Sequence, residues 1–519
     1  MASQNVRKLA FGIVILMLVV TSVFVTLGNT GSEFSYDVPR MLGMDTGVGE
    51  DVIQVKSPPT NFIKGPFVET HKKAVSMDKD LRDLPQNGPD KKRPMREMGQ
   101  MAAPTFNNNG PDPVLQSSTG LRALSAPTAL TSFKGLDLQN WGGGWPPDTH
   151  GDVGPSHYIQ AVNTSIGIFD KATGTRLAAF TFNNFFVAAG GSGVCATYNQ
   201  GDPIVVYDQI SGRWIITDFA FSSVSKPPYY ECIAVSKTAD PVSGGWWLYT
   251  FTADTVSLND YPKLGIWNDG IYMSANLFKR GRTYAGTKVW ALNRDDLISG
   301  APLRSVAFTL GTSYFSLLPA NLKGALAPTG TPEYFMSDYG SNTSMKLWKF
   351  TVNWTTPTAS TFTGPTSFAV ASFTRPTSRV PQLGSTETLD TLGDRLMSWL
   401  QYRNVNGVQS LWVSRTVVAG TSMGVRWMEV RNMSTTPVVY QQGTYAPDAN
   451  YRWMPSLAVD KFGNMAIGYS VSSSTMYPAI RYAGRLVTDP LGTLGQTESS
   501  LIEGTGSQSG GYNRWGDYA

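Results

Sequence analysis

Between residues 146 and 518 a two-strand unit returns about every sixty residues, and few folds accept a repeat of that length. Asp148, Asp202, Asp260, Asp394, Met454 and Asp517 mark the units, at separations of 54, 58, 134, 60 and 63 residues. The longest gap hides one more unit, whose strands are supplied by residues 334–338 and 347–350. Each mark is followed by short apolar runs such as Ile204-Val205-Val206-Tyr207, Leu264-Gly265-Ile266-Trp267 and Leu457-Ala458-Val459. Turn chemistry cuts these runs off: Asp208 to Gly212, Asn268-Asp269-Gly270 and Asp460 to Gly463 place Asp and Gly where a tight hairpin needs them. The period is long for a four-stranded blade and far too long for a solenoid coil. The expectation is an all-β propeller over residues 125–519, with about six to seven four-stranded blades, the last incomplete.

Composition agrees with an extracellular β protein. Only 15% of residues are charged, while 24 Phe, 22 Tyr, 14 Trp and 52 Gly suit many short aromatic strands joined by tight turns. The net charge of +4 and the absence of a basic stripe argue against a nucleic-acid partner. Arg7 and Lys8 precede an apolar run from Leu9 to Leu27, so residues 1–28 read as a signal peptide or an uncleaved signal anchor. The body is then secreted or at the cell surface, touching a membrane only through that segment. Residues 29–124, broken by Pro58-Pro59, Gly65-Pro66, Gly88-Pro89 and Gly110-Pro111, read as a disordered Pro/Gly-rich linker or pro-region. Its lysines alternate with aspartates, as in a solvated linker rather than a lipid-binding patch.

Several longer strings resemble a family. Pro146-Pro147-Asp148-Thr149 with Gly151-Asp152-Val153-Gly154-Pro155, the stretches 201–208 and 259–265, Tyr445-Ala446-Pro447-Asp448 with Arg452-Trp453-Met454, and Arg514-Trp515-Gly516-Asp517-Tyr518 are similar to motifs of secreted bacterial β-propeller proteins of uncertain function. The resemblance covers about residues 128–519 and implies a propeller, but no chemistry. The turns are loosely similar to those of sialidase-type propellers, without the full Ser-x-Asp-x-Gly-x-Thr-Trp string. Similar proteins continue past the Trp-Gly-Asp-Tyr motif, so the final blade is expected to be unfinished.

Candidate chemistry is sparse. Of three histidines, His71 lies in the linker, and His150 and His157 flank one turn without a nucleophile elbow. Cys195 and Cys232 fit no metal spacing and, in an exported protein, are expected to form a disulfide. Asp148, Asp202, Asp260, Asp394 and Asp517 precede successive strands and so form a candidate ring at the channel mouth, able to hold Ca²⁺ or a polar ligand. Capping of each turn is the preferred reading of these aspartates, since Met454 interrupts the ring. Arg452 and Arg514 stand at unit starts as further candidate ligand contacts, but a sialidase-like site needs a third arginine that the sequence does not place. The preferred function is a monomeric, non-catalytic surface module binding protein or glycan; the alternative is a glycan-acting hydrolase of sialidase-like type.

Overall fold

The structure, a computed structural model, describes residues 61–89, 110–116, 124–144, 146–509 and 513–514. The marks at residues 1–28 and Asp517 lie outside the described residues. Among the described residues no helix is long and apolar enough to cross a membrane.

Among the described residues six antiparallel blades follow one another, each wound from an inner strand outward. Their inner strands are His150–Val153, Gly201–Asp208, Ser257–Trp267, Leu318–Leu322, Met397–Val405 and Tyr451–Val459. The all-β propeller expected from the repeat is therefore present. Its hidden unit is blade 4, with strands Leu318–Leu322, Glu333–Ser337, Ser344–Thr351 and Thr361–Ala369. In blade 1 the inner strand is His150–Val153, and His157–Val162 pairs with it as the second.

Neighbouring blades pack apolar faces together, which is why the inner strands of blades 3 and 4 are buried throughout and most residues of those of blades 2, 5 and 6 are buried. Between blades 2 and 3, Ile204, Val206, Ile215, Ile233, Ile266 and Met273 form one such layer. Trp214, Trp267, Trp348, Trp427 and Trp453 are fully buried in these layers. Inner strands are also stitched by polar contacts: Val205 N–H donates to His150 Nδ1 at 3.0 Å and Tyr207 N–H to Asp152 Oδ2 at 2.8 Å. Further round, Val459 N–H donates to Gln401 Oε1 at 2.7 Å, and blades 4 and 5 pair their inner strands directly, in parallel.

The linker expected over residues 29–124 needs correction where it is described. Ile63–Thr70 adds antiparallel to the outer strand of blade 3, and Val75–Met77 does the same on blade 2. Gln86 Oε1 accepts from Ala179 N–H on the outer strand of blade 1 at 2.7 Å. Leu115–Gln116 and Leu124–Ser125 then join the outer strands of blades 5 and 6 in parallel. Four blades thus carry a fifth strand rather than the expected four. An outer edge presents unpaired backbone groups, and the N-terminal segment covers them. Gly65-Pro66 looked like a linker break, but Pro is tolerated on an edge strand, and the register shifts between Lys64 and Phe67 to admit it.

The expected disulfide is formed. Cys195, on the short helix Val194–Thr197, is bonded to Cys232 on the third strand of blade 2, across a separation of 37 residues.

Candidate functional site

At the start of the inner strands the backbone turns left-handed once per blade: Asp148 (φ 42°), Asp202 (50°), Tyr261 (56°), Ser316 (47°), Leu392 (43°) and Met454 (48°). What recurs is a backbone N–H, not a carboxylate. Asp202 N–H donates to Asn163 Oδ1 at 2.8 Å, Ser316 N–H to Asn276 Oδ1 at 2.8 Å, and Met454 N–H to Thr416 Oγ1 at 3.0 Å. Each acceptor comes from the second strand of the preceding blade or the turn that ends it, so each bond latches one blade to the next. Met454 can replace an aspartate because the latch uses no side chain from that position.

The candidate ring residues follow from this. Asp148 is buried and receives Asn163 Nδ2 at 2.6 Å. Asp202 is half-buried, and its Oδ2 accepts from Tyr261 N–H at 3.2 Å. Asp260 sits one residue ahead of the left-handed position, and Asp394 two residues beyond Leu392, held by both arms of Arg395 at 2.7 Å. The aspartates therefore lie in an arc with Asn163 and Arg395 inserted between them, not in an open collar of cation ligands. Among the described residues no group of three or more His, Cys, Asp or Glu side chains is placed to hold a metal ion. The buried guanidinium of Arg452 is taken up by Asp448 and Glu498 at 2.8 to 3.0 Å and by Asn450 O at 3.1 Å. Arg514 is buried next to Asn513, and its carbonyl accepts from Gln508 Nε2 at 2.8 Å.

A trio of arginines does exist, at Arg375, Arg415 and Arg426 around the Phe373 ring. It is not an open clamp. Asp338 pairs with the first two and Asp112 with the third, and backbone carbonyls take most of the remaining donors.

Three buried carboxyls, Asp218 and Glu231 of blade 2 and Asp260 of blade 3, lie toward the end where the inner strands begin. Burial pushes Asp260 up to about 8, aided by the nearby charge of Asp202 and opposed by Arg395 and Lys263. Burial likewise raises Glu231 to about 8; its Oε2 accepts from Asn259 Nδ2 at 2.8 Å. Asp218 is raised by the same desolvation, with Gly201 N–H reaching its Oδ1 at 3.3 Å. Lys263 Nζ stands 3.4 Å over the Tyr261 ring, and the Arg395 guanidinium lies 4.8 Å from the same ring. Deeper in the channel, burial lowers His150 to about 3, so the ring is neutral; its Nδ1 accepts from Val205 N–H, which leaves the proton on Nε2. The half-buried Trp399 ring lies 4.7 Å from His150.

At the opposite end the inner strands are tied to one another. Lys323 Nζ donates to Asp152 Oδ2 at 2.5 Å, joining blades 4 and 1, while Gln209 and Gly324 exchange two hydrogen bonds of 2.5 and 2.8 Å between blades 2 and 4. Arg403 Nη1 adds a bond to Lys323 O at 2.5 Å. Sequence reasoning missed Asn163, Glu231 and Lys263. Glu231 was visible as a single charged residue inside an apolar strand, a pattern that signals a buried polar role.

No known protein family matches the chain, and no curated protein matches it. Among solved structures, the GH43 endo-arabinanase from Bacillus licheniformis is 11% identical over 64% of this chain and 92% of its own, with a TM-score of 0.27. The Hadza microbial sialidase Hz136 is 12% identical over 65% of this chain and 61% of its own, at 0.32. An exo-β-1,3-galactanase from Clostridium thermocellum is 11% identical over 64% and 77%, at 0.31. At such scores the likeness carries no argument about site or substrate, and the propeller assignment rests on the blades themselves.

Proposed function

We propose that this propeller acts on a glycan at the mouth of its channel, hydrolysing a glycosidic bond with Asp260 as proton donor and Asp202 as its ionised partner. The observation that supports the reading is the pair itself: burial raises the Asp260 carboxyl, Asp202 of the adjacent blade pushes it up further, and Asp202 Oδ2 accepts the N–H of Tyr261, the residue after Asp260, at 3.2 Å. Glycoside hydrolysis needs that division of labour between two carboxyl groups. The glycosidic oxygen takes the Asp260 proton as its bond to the anomeric carbon breaks. A water oxygen replaces it on that carbon and gives its proton to Asp202, after which both carboxyls re-equilibrate with solvent.

A second reading, glycan binding without turnover, is favoured by the low exposure of Asp260, 8%. Export to the cell surface or medium fits both readings, because the disulfide needs an oxidising compartment. The experiment is a panel of aryl glycosides and plant and animal polysaccharides, assayed for sugar release and, by calorimetry, for binding. Release that disappears in Asp260→Asn and Asp202→Asn while the fold is retained supports hydrolysis. Binding with no release supports the second reading, and neither binding nor release overturns both.

A further inference from the structure

We infer that Asn163 is the positioning residue of the channel mouth: its side chain grips blade 1 and the backbone of Asp202 together, and so fixes where the Asp202 carboxylate stands. The inference rests on the hydrolytic reading above and names a residue that this reading does not use.

Asn163 follows the second strand of blade 1 and is 5% exposed. Its amide is committed at both ends. Nδ2 donates to Asp148 Oδ2 at 2.6 Å and to Pro146 O at 2.9 Å, while Oδ1 accepts the Asp202 N–H at 2.8 Å. The main chain of the turn is anchored too, since Asn163 N–H donates to Pro147 O at 2.7 Å. A side chain with donors and acceptor all engaged has one orientation available to it.

Gly201 shows how closely the next blade fits this amide. A Cβ there would stand 2.1 Å from Asn163 Oδ1, on a backbone at φ 105° that only glycine adopts readily. Two successive left-handed residues, Gly201 and Asp202, are therefore folded around the Asn163 amide. From the other side, Tyr261 N–H of blade 3 holds Asp202 Oδ2 at 3.2 Å. Asp202 is thus fixed through its backbone by blade 1 and through its carboxylate by blade 3. The titratable groups near it are Asp218, Glu231 and Asp260, with Lys263 and Arg395 beside Asp260. A displaced Asp202 would change the field at Asp260 and the aim of the carboxylate together, and such small misplacements cost rate rather than affinity.

Nature supplies a control within the same fold. Thr416 makes the same latch between blades 5 and 6, accepting the Met454 N–H at 3.0 Å and donating to Thr391 O at 3.3 Å, with neither Asp202 nor Asp260 among its partners. Asn163→Ala and Thr416→Val each remove a buried latch acceptor and should lose stability of the same order. On the best glycoside of the panel, Asn163→Ala should lower kcat at least ~10-fold with KM within ~2-fold, the signature of a loss in the transition state. It should also move the basic limb of the pH–rate profile, while Thr416→Val changes neither. In parallel, ¹³C NMR titration of labelled aspartate carboxyls should show the Asp260 midpoint displaced in Asn163→Ala and unmoved in Thr416→Val. Equal effects of the two variants on rate and titration would reduce Asn163 to a structural latch and overturn the inference. If the wild-type chain hydrolyses nothing, the hydrolytic reading falls by itself, and the titration decides: a displacement confined to Asn163→Ala upholds the positioning role, and none refutes it.

Discussion

Asp112 and Arg426 face each other across 2.7 Å with side chains 3% and 0% exposed, joining the N-terminal segment to the third strand of blade 5. Removing one partner of a buried pair leaves the other charge uncompensated, at a cost of about 3–5 kcal/mol. Asp112→Ala should therefore lower the urea-unfolding free energy by that order. A loss within experimental error would show that the N-terminal segment lies on the propeller without helping to hold it.

The disulfide closes a separation of 37 residues. Chain entropy puts its contribution at about 4 kcal/mol. Urea melts of the Cys195→Ser, Cys232→Ser double variant should report that loss, and reduction of the wild type should match it. A double variant as stable as the oxidised protein would mean that blade 2 is already held rigidly enough by its packing.

Two carboxyls, Asp260 and Glu231, have folded-state values near 8, above the unfolded value of about 4. The folded chain then binds more protons than the unfolded one between those limits. Their contribution favours the folded state at acid pH, and it is lost progressively as pH rises from about 4 to about 8, with no further change above. Thermal melts across that window should show a shallower decline for Glu231→Gln than for wild type. Parallel declines would place the Glu231 carboxyl in contact with water.

The latch predicts which substitutions matter. Thr416→Val removes the acceptor of the buried Met454 N–H and should cost about 1–3 kcal/mol. Equilibrium unfolding of this variant, set against Thr416→Ser, separates loss of the hydroxyl from loss of shape. If the valine variant is as stable as the wild type while the serine variant is destabilised, the methyl packing and not the hydrogen bond secures blade 6.

Much of the fold was legible because blades repeat. The hairpins at Asp208 to Gly212, Asn268 to Gly270 and Asp460 to Gly463 stand where the turn residues indicated, and the hidden unit is blade 4. The recurrent site position was harder to see, because its shared property is a left-handed backbone, joined at Asp202, Tyr261, Ser316 and Met454 by an N–H that donates across a blade boundary. Asp148, Asp202, Tyr261, Ser316, Leu392 and Met454 share no side chain. Aligning on aspartate therefore slipped by one residue at Asp260 and by two at Asp394. The outer strand Ile63–Thr70 was hidden for another reason: edge strands need neither strict alternation nor freedom from proline. Arg452 looked available because its partner Glu498 is 46 residues away in sequence.

The proposed hydrolysis depends on Asp260 delivering a proton from a raised pKa at the end of the propeller where the inner strands begin. The pH dependence of kcat/KM on a glycoside identified from the panel tests this directly. Deprotonation of the free enzyme's acid should make the rate fall with a basic limb near pH 8, and Asp260→Asn should remove the activity that this limb reports. Hydrolysis that persists in Asp260→Asn, or a wild-type rate that stays level through pH 9 to 10 where the Asp260 carboxyl is ionised, would contradict the account.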